Sequence, residues 1–178
     1  MSLFGLFGPP DVEKLMAEAD VKGLIKALSY QKDPSVRKRA AEALGKLIHG
    51  QPGMAVPLFV KALQYEGVYR DAFLSDFALH GGSTLAEPAI RKLKERISSA
   101  LCEALLRDEA EDVRKTAAWA LGELGPAAKE AVPALIQAMR NEEWQVRKAI
   151  AAALGVITEQ NFGEDIARWQ QWWEKQRQ

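Results

Sequence analysis

Three segments of this chain repeat one pattern at one internal spacing, and that repetition limits the fold more than any other feature. They are Asp33 to Ile48, DPSVRKRAAEALGKLI; Asp112 to Gly125, DVRKTAAWALGELG; and Glu143 to Ile157, EWQVRKAIAAALGVI. In each, Val-Arg-Lys opens the segment, small residues follow, and the Leu of Ala-Leu-Gly comes eight positions after the Val: Val36 and Leu44, Val113 and Leu121, Val146 and Leu154. Val113, Ala117, Ala118, Leu121 and Leu124 fall at helical spacings of three and four, which marks an amphipathic helix with a buried stripe. The stripe is mostly alanine, and small residues let a second helix approach closely on each side. Asp33 with Pro34 suits the start of the first copy, and Asn141 with Glu142 and Glu143 the start of the third.

A second apolar helix precedes each copy, through Val21, Leu24, Ile25 and Leu28, through Leu101, Ala104 and Leu105, and through Val132, Leu135, Ile136 and Met139. Such a pair is too small to bury both its apolar faces, so successive pairs must stack on one continuous core. Val113 to Val146 is a spacing of 33, whereas Val36 to Val113 is 77, which leaves room for one further, degenerate pair. Ala55 to Leu63, AVPLFVKAL, matches Ala131 to Met139, AVPALIQAM, and Tyr69 to Leu79 would be its second helix, with Arg70 in the arginine slot and Phe73, Leu74 and Phe77 replacing alanines. Bulky side chains there cannot pack as alanines do.

The remaining helices follow from the same periodicity. A short one is expected at 11–19, and pairs at 20–30 with 33–48 and at 54–64 with 69–79. Thr84 and Glu87 have capping-box spacing, and Ile90, Leu93, Ile97, Leu101 and Leu105 keep phase. One long helix at 85–106 follows, its first half, with Arg91, Lys92, Lys94 and Arg96, projecting beyond a normal repeat. Helices at 111–124, 128–140 and 143–157 complete the array. In the tail, Ile166, Trp169 and Trp173 share a face with Trp172 beside it, and such a helix would cover the greasy last face of a stack. Leu3, Phe4, Leu6 and Phe7 would do the same at the other end. The start lacks the basic lead and long apolar stretch of a signal peptide.

With helix pairs of this length, Pro in the first helix, and Val-Arg followed by Ala-Leu-Gly in the second, residues 20–157 resemble the HEAT repeat family. They look most like its short bacterial and archaeal subclass, first described in phycobilisome lyases. The resemblance implies an all-α, right-handed α-solenoid of about four repeats whose second helices line the concave side. It implies one domain, 1–178, with caps at 1–19 and 158–178 and a degenerate stretch around 66–96. In that family the arginine meets an aspartate in the turn six residues earlier. Asp108 fits before Arg114, but Gln31 and Asn141 hold the slot before Arg37 and Arg147, so the ladder of ion pairs is expected to be incomplete.

Composition narrows the function. Lys plus Arg, 24, equals Asp plus Glu, 24, so no global field draws in nucleic acid or an anionic membrane. One cysteine, Cys102, rules out an internal disulfide and fits a reduced cytoplasm. No apolar run is long enough to span a bilayer. His49 and His80 lack neighbouring metal ligands, and no nucleophile–base arrangement or phosphate loop stands out, so a catalyst, a metal and a cofactor are not expected. The iron-binding HEAT-like hydroxylases carry paired His-Glu motifs that this chain lacks.

The expectation is a scaffold that binds a protein or peptide on its concave face. Trp119 aligns with Glu42 and Ala152, off the alanine stripe, and should face that side as an anchor, with Glu42, Lys38, Arg70, Lys115 and Lys148 around it. The pairs Arg37 and Lys38, Arg114 and Lys115, and Arg147 and Lys148 admit two readings: arginines bonded to turn carbonyls and acids with lysines solvated, or a basic strip. Two alternatives stay open by resemblance: a bilin-lyase-like or chaperone-like chromophore attachment factor, and a nucleic-acid binder like the HEAT-like alkylpurine DNA glycosylases. Asp108, Glu109, Glu111 and Asp112 weigh against the second.

Overall fold

In the computed structural model, residues 8–48, 86–140 and 142–177 are described, and these are all helix and connection, with no strand among them. The helices are α1 (Val12–Ala17), α2 (Val21–Ala27), α3 (Pro34–Ile48), α4 (Ala86–Arg107), α5 (Glu111–Glu123), α6 (Val132–Met139), α7 (Trp144–Thr158) and α8 (Ile166–Gln176), with a 3-10 segment at Gly125–Ala131 before α6. Asp11, Asp20, Asp33 and Asp165 each accept a backbone N–H of the turn that follows, at 2.8–3.0 Å, and so start α1, α2, α3 and α8. The hydroxyl and amide of Ser35 hold the Asp33 carboxyl below its ordinary pKa.

The alanine-rich helices α3, α5 and α7 stand side by side, α5 in the middle. Lys38 reaches Asp112 near the starts of α3 and α5, and Gly45 meets Ala120 near their ends, so the two run in the same direction. Gly122 meets Ala153 in the same way across α5 and α7. Behind this row α2 packs on α3, α4 on α5 and α6 on α7, which makes two layers. The core between them comprises Leu24, Leu44, Ile97, Leu101, Leu105, Leu121, Leu135, Ile150 and Leu154, all fully buried. α1 covers α2 and α3 at one end, and α8 lies on α6 at the other.

Three expectations need correction. The pair at 54–64 and 69–79 lies outside the described residues, as do Thr84, His49, His80 and the apolar start. Yet α3 and α5, the rungs that this pair was to separate, are in direct contact. The helix expected at 128–140 begins only at Val132. Pro133 has no N–H to give and its ring obstructs the carbonyl four residues back, so Gly125–Ala131 winds as 3-10 instead, with Ala128 off helical angles. Asn141 lies outside the described residues; α7 starts directly after Glu143, whose side chain makes no capping bond. Finally, the front half of α4 does not simply project: its Leu93 is buried in the core.

Candidate functional site

The Val-Arg-Lys triplets open α3, α5 and α7, and their arginines are all engaged. Arg37 donates from Nε and Nη2 to the two Asp108 oxygens at 2.6 and 2.9 Å, and from Nη1 to the Tyr30 carbonyl at 3.0 Å. Arg114 binds Glu142 at 2.8 Å and the carbonyls of Asp108 and Glu109. Arg147 binds Glu164 at 3.0 Å and the Glu142 carbonyl. The ladder expected to be broken is therefore complete across these rungs, in a different register. Each arginine takes carbonyls from its own turn and a carboxylate from the next one. Asp108, matched by sequence to Arg114, gives its carboxylate to Arg37, and that bond holds the Arg37 guanidinium above its ordinary pKa.

The lysines are not simply solvated. Lys38 Nζ and Lys115 Nζ converge on opposite oxygens of Asp112, at 2.9 and 3.2 Å. The hydrogen bond from Lys38, then that from Lys115, lowers the Asp112 pKa, and the Lys38 pKa rises in return. The Thr116 hydroxyl, next along α5, donates to the Asp112 carbonyl at 2.7 Å.

Just inside this fork is an open groove of about 500 Å³ lined by Lys38, Glu42, Lys46, Lys115, Thr116, Trp119 and Ala149. The side chains stand there for a simple reason. Lys38, Glu42 and Lys46 are four apart on α3, and Lys115 and Trp119 four apart on α5, so each set forms one stripe. Trp119 is 40% exposed. A methyl group added at Gly45 would lie 3.0 Å from its Cζ3, so the missing Cβ makes room for the indole.

Of the residues chosen from sequence, Trp119, Glu42, Lys38 and Lys115 come together. Arg70 lies outside the described residues. Lys148 is elsewhere: its ammonium sits 4.5 Å over the ring centre of Trp144, which is 53% exposed. Lys46 was missed, although its place four residues beyond Glu42 and aligned with Glu123 could have found it.

A second groove of about 340 Å³ lies between α6 and α8, with Ile136, Arg140, Trp173 and Arg177 on its walls. Cys102 is half-buried, and burial pushes its thiol up to about 11, so it is a poor nucleophile. Among the described residues, no three His, Cys, Asp or Glu side chains are grouped as metal ligands, and no helix is long and apolar enough to cross a membrane.

No curated protein matches this chain. A sequence profile described as HEAT repeats matches residues 98–165, which run from the middle of α4 through the α5 and α7 rungs to the N-cap of α8. This part of the chain, with the Arg114 and Arg147 rungs of the ladder and Trp119 on it, is similar to HEAT repeats.

Proposed function

We propose that this protein is a non-catalytic scaffold that binds a segment of another protein in the groove around Trp119. The observation that carries this reading is a half-exposed indole seated on a glycine of the next helix and ringed by charged side chains. Aromatic side chains are enriched at protein interfaces, and central ones inside a polar rim carry much of the binding energy. HEAT repeats commonly mediate protein–protein contacts and are generally non-catalytic, which supports the same reading for the stretch that matches them. On this reading the rungs form a right-handed superhelix, with α3, α5 and α7 on its concave side.

The ladder also weighs against nucleic acid as the ligand. Arg37, Arg114 and Arg147 are each held by a carboxylate and by turn carbonyls, and so do not offer a free strip of guanidinium groups to phosphates.

The test is affinity capture from a lysate of the source organism with wild type, Trp119→Ala and Trp144→Ala. A partner retained by wild type and Trp144→Ala and lost with Trp119→Ala supports the groove. Equal recovery of every specific partner by all three would remove Trp119 as the anchor.

A further inference from the structure

The groove is cationic, although the chain as a whole has no net charge. Lys38, Lys46 and Lys115 line it against one acid, Glu42, with Asp112 at its edge. Two of these lysines already hold a carboxylate: Asp112 takes one ammonium on each oxygen. Each ammonium has three protons to donate, so donors remain for a second acid. Lys46 is exposed and makes no ion pair among the described residues. It lies on the same stripe of α3 as Lys38, eight residues on, or about 12 Å along the helix. Trp119 meets α3 at Gly45, toward the Lys46 end of this stripe, and lines the same groove as both lysines.

From this spacing we infer that the groove takes an extended acidic segment of a partner protein, in which carboxylates at positions i and i+4 flank an apolar side chain at i+2. The inference rests on the scaffold reading above. An extended chain rises about 3.4 Å per residue and points every second side chain to one face, so i, i+2 and i+4 face the groove together over about 13 Å. That span matches the distance from the Lys38 and Lys115 end to Lys46. The apolar side chain then lies on the Trp119 indole. Glu42, midway along the α3 stripe, disfavours an acid at that central place and so sets the order of the three.

The experiment is fluorescence anisotropy with a labelled peptide containing Glu-Ser-Leu-Ser-Glu, beside versions with both Glu replaced by Gln or by Lys. The acidic peptide should bind about fivefold or more tighter than the Gln version and weaken as salt rises. Lys46→Glu should reduce its affinity about tenfold with an unchanged circular dichroism spectrum, because Lys46 is exposed. Asp112→Asn, which frees two lysines, should raise the affinity, a gain that unfolding would not produce. Equal binding of the acidic and Gln peptides overturns the proposal. So does the absence of saturable binding of the acidic peptide. Tighter binding of the Lys version, lost with Trp119→Ala, would overturn the acidic occupant while leaving the groove itself as the binding site.

Discussion

Arg37 and Asp108 stand 71 residues apart in sequence and share two hydrogen bonds, at 2.6 and 2.9 Å, with both side chains nearly closed to solvent at 9% and 6% exposure. The pair fixes the start of α3 against the turn after α4. Asp108 also accepts the Ala110 amide at 2.9 Å, just ahead of α5, so one carboxylate sets both the rung before it and the rung after it.

The ladder opens to solvent along the row. Arg114 and Glu142 are mostly buried, and Arg147 and Glu164 are 37% and 40% exposed. Removing one partner of a buried pair strands the other charge, whereas an exposed pair is worth little. Asp108→Ala should therefore cost about 3 kcal/mol, lowering the thermal midpoint by about 6–12 °C for a chain of this size. Glu142→Ala should cost less, and Glu164→Ala under about 1 kcal/mol. Denaturant titration of the three variants checks the order, and equal losses would mean that burial does not govern the ladder.

The three glycines of Ala-Leu-Gly should answer differently to alanine. In a helix that change ordinarily stabilises by about 1 kcal/mol. At Gly45 the new methyl would meet Trp119 and the Ala120 backbone at 3.0–3.1 Å, and at Gly122 the Ala153 backbone at 3.2 Å. At Gly155, on the last rung of the described row, it would meet only the Gln160 carbonyl at an ordinary 3.4 Å. Gly45→Ala should destabilise by about 1–3 kcal/mol as α3 and α5 are forced apart, Gly122→Ala by less, and Gly155→Ala should stabilise. Three melting curves decide it, and a gain at Gly45 would contradict the close helix contact.

The glycine contacts also mark where sequence reasoning ends. Val36, Val113 and Val146 repeat a local pattern, and local patterns place helices, so α3, α5, α7 and the long α4 were legible within a residue or two. Which groups meet across the stack is a different matter. The aspartate slot before Arg114 pointed to Asp108, but that carboxylate turns to Arg37, because the neighbouring rung offers a buried guanidinium and its own arginine is satisfied by the Asp108 carbonyl. The exposure of Trp119 likewise depends on the absent Cβ of Gly45, a residue of another rung. Lys46 needed no such knowledge, only the four-residue step from Glu42.

The Asp112 fork has a defined pH window. A carboxyl whose pKa lies below its ordinary 3.8 in the folded chain contributes stability above that value and loses it as pH falls through the folded pKa. Lys38 is the mirror case: its contribution is complete below 10.5 and is lost as pH rises through its raised value. The difference in melting temperature between wild type and Asp112→Asn should therefore hold from about pH 5 to 9 and vanish toward pH 2. High salt should shrink it, since both groups are exposed. A difference that persists at pH 2 would have another source than the fork.

Burial, which sets the Cys102 thiol at about 11, gives a chemical prediction. At pH 8 the thiolate fraction is about a hundredfold below that of an ordinary thiol, so native alkylation by iodoacetamide should be slower by about that factor. Its rate should climb about tenfold per pH unit through pH 10 and return to ordinary values in denaturant. Fast native labelling at pH 8 would place Cys102 in a more open setting than the α4 core.

Trp169 and Trp144 separate a tryptophan that holds the fold from one on its surface. Trp169 is fully buried, donates its indole N–H to the Gly163 carbonyl at 2.8 Å, and meets the Phe162 ring edge-on at 4.8 Å between centres. Gly163 has a φ of +56°, so this carbonyl is aimed from a left-handed turn that a larger residue would strain. Trp169→Phe keeps the apolar bulk but leaves that carbonyl without its donor, at a cost of about 1–2 kcal/mol. Trp169→Ala also empties the space between α8 and the rest of the core, for about 3–5 kcal/mol. Trp144, with its ring exposed beneath Lys148, should tolerate alanine within about 0.5 kcal/mol. If α8 is what keeps the α6 face from water, Trp169→Ala should also bind an apolar dye before the main unfolding transition, while Trp144→Ala should not. Matching behaviour of the two variants would mean that the terminal helix adds nothing to the stability of the row.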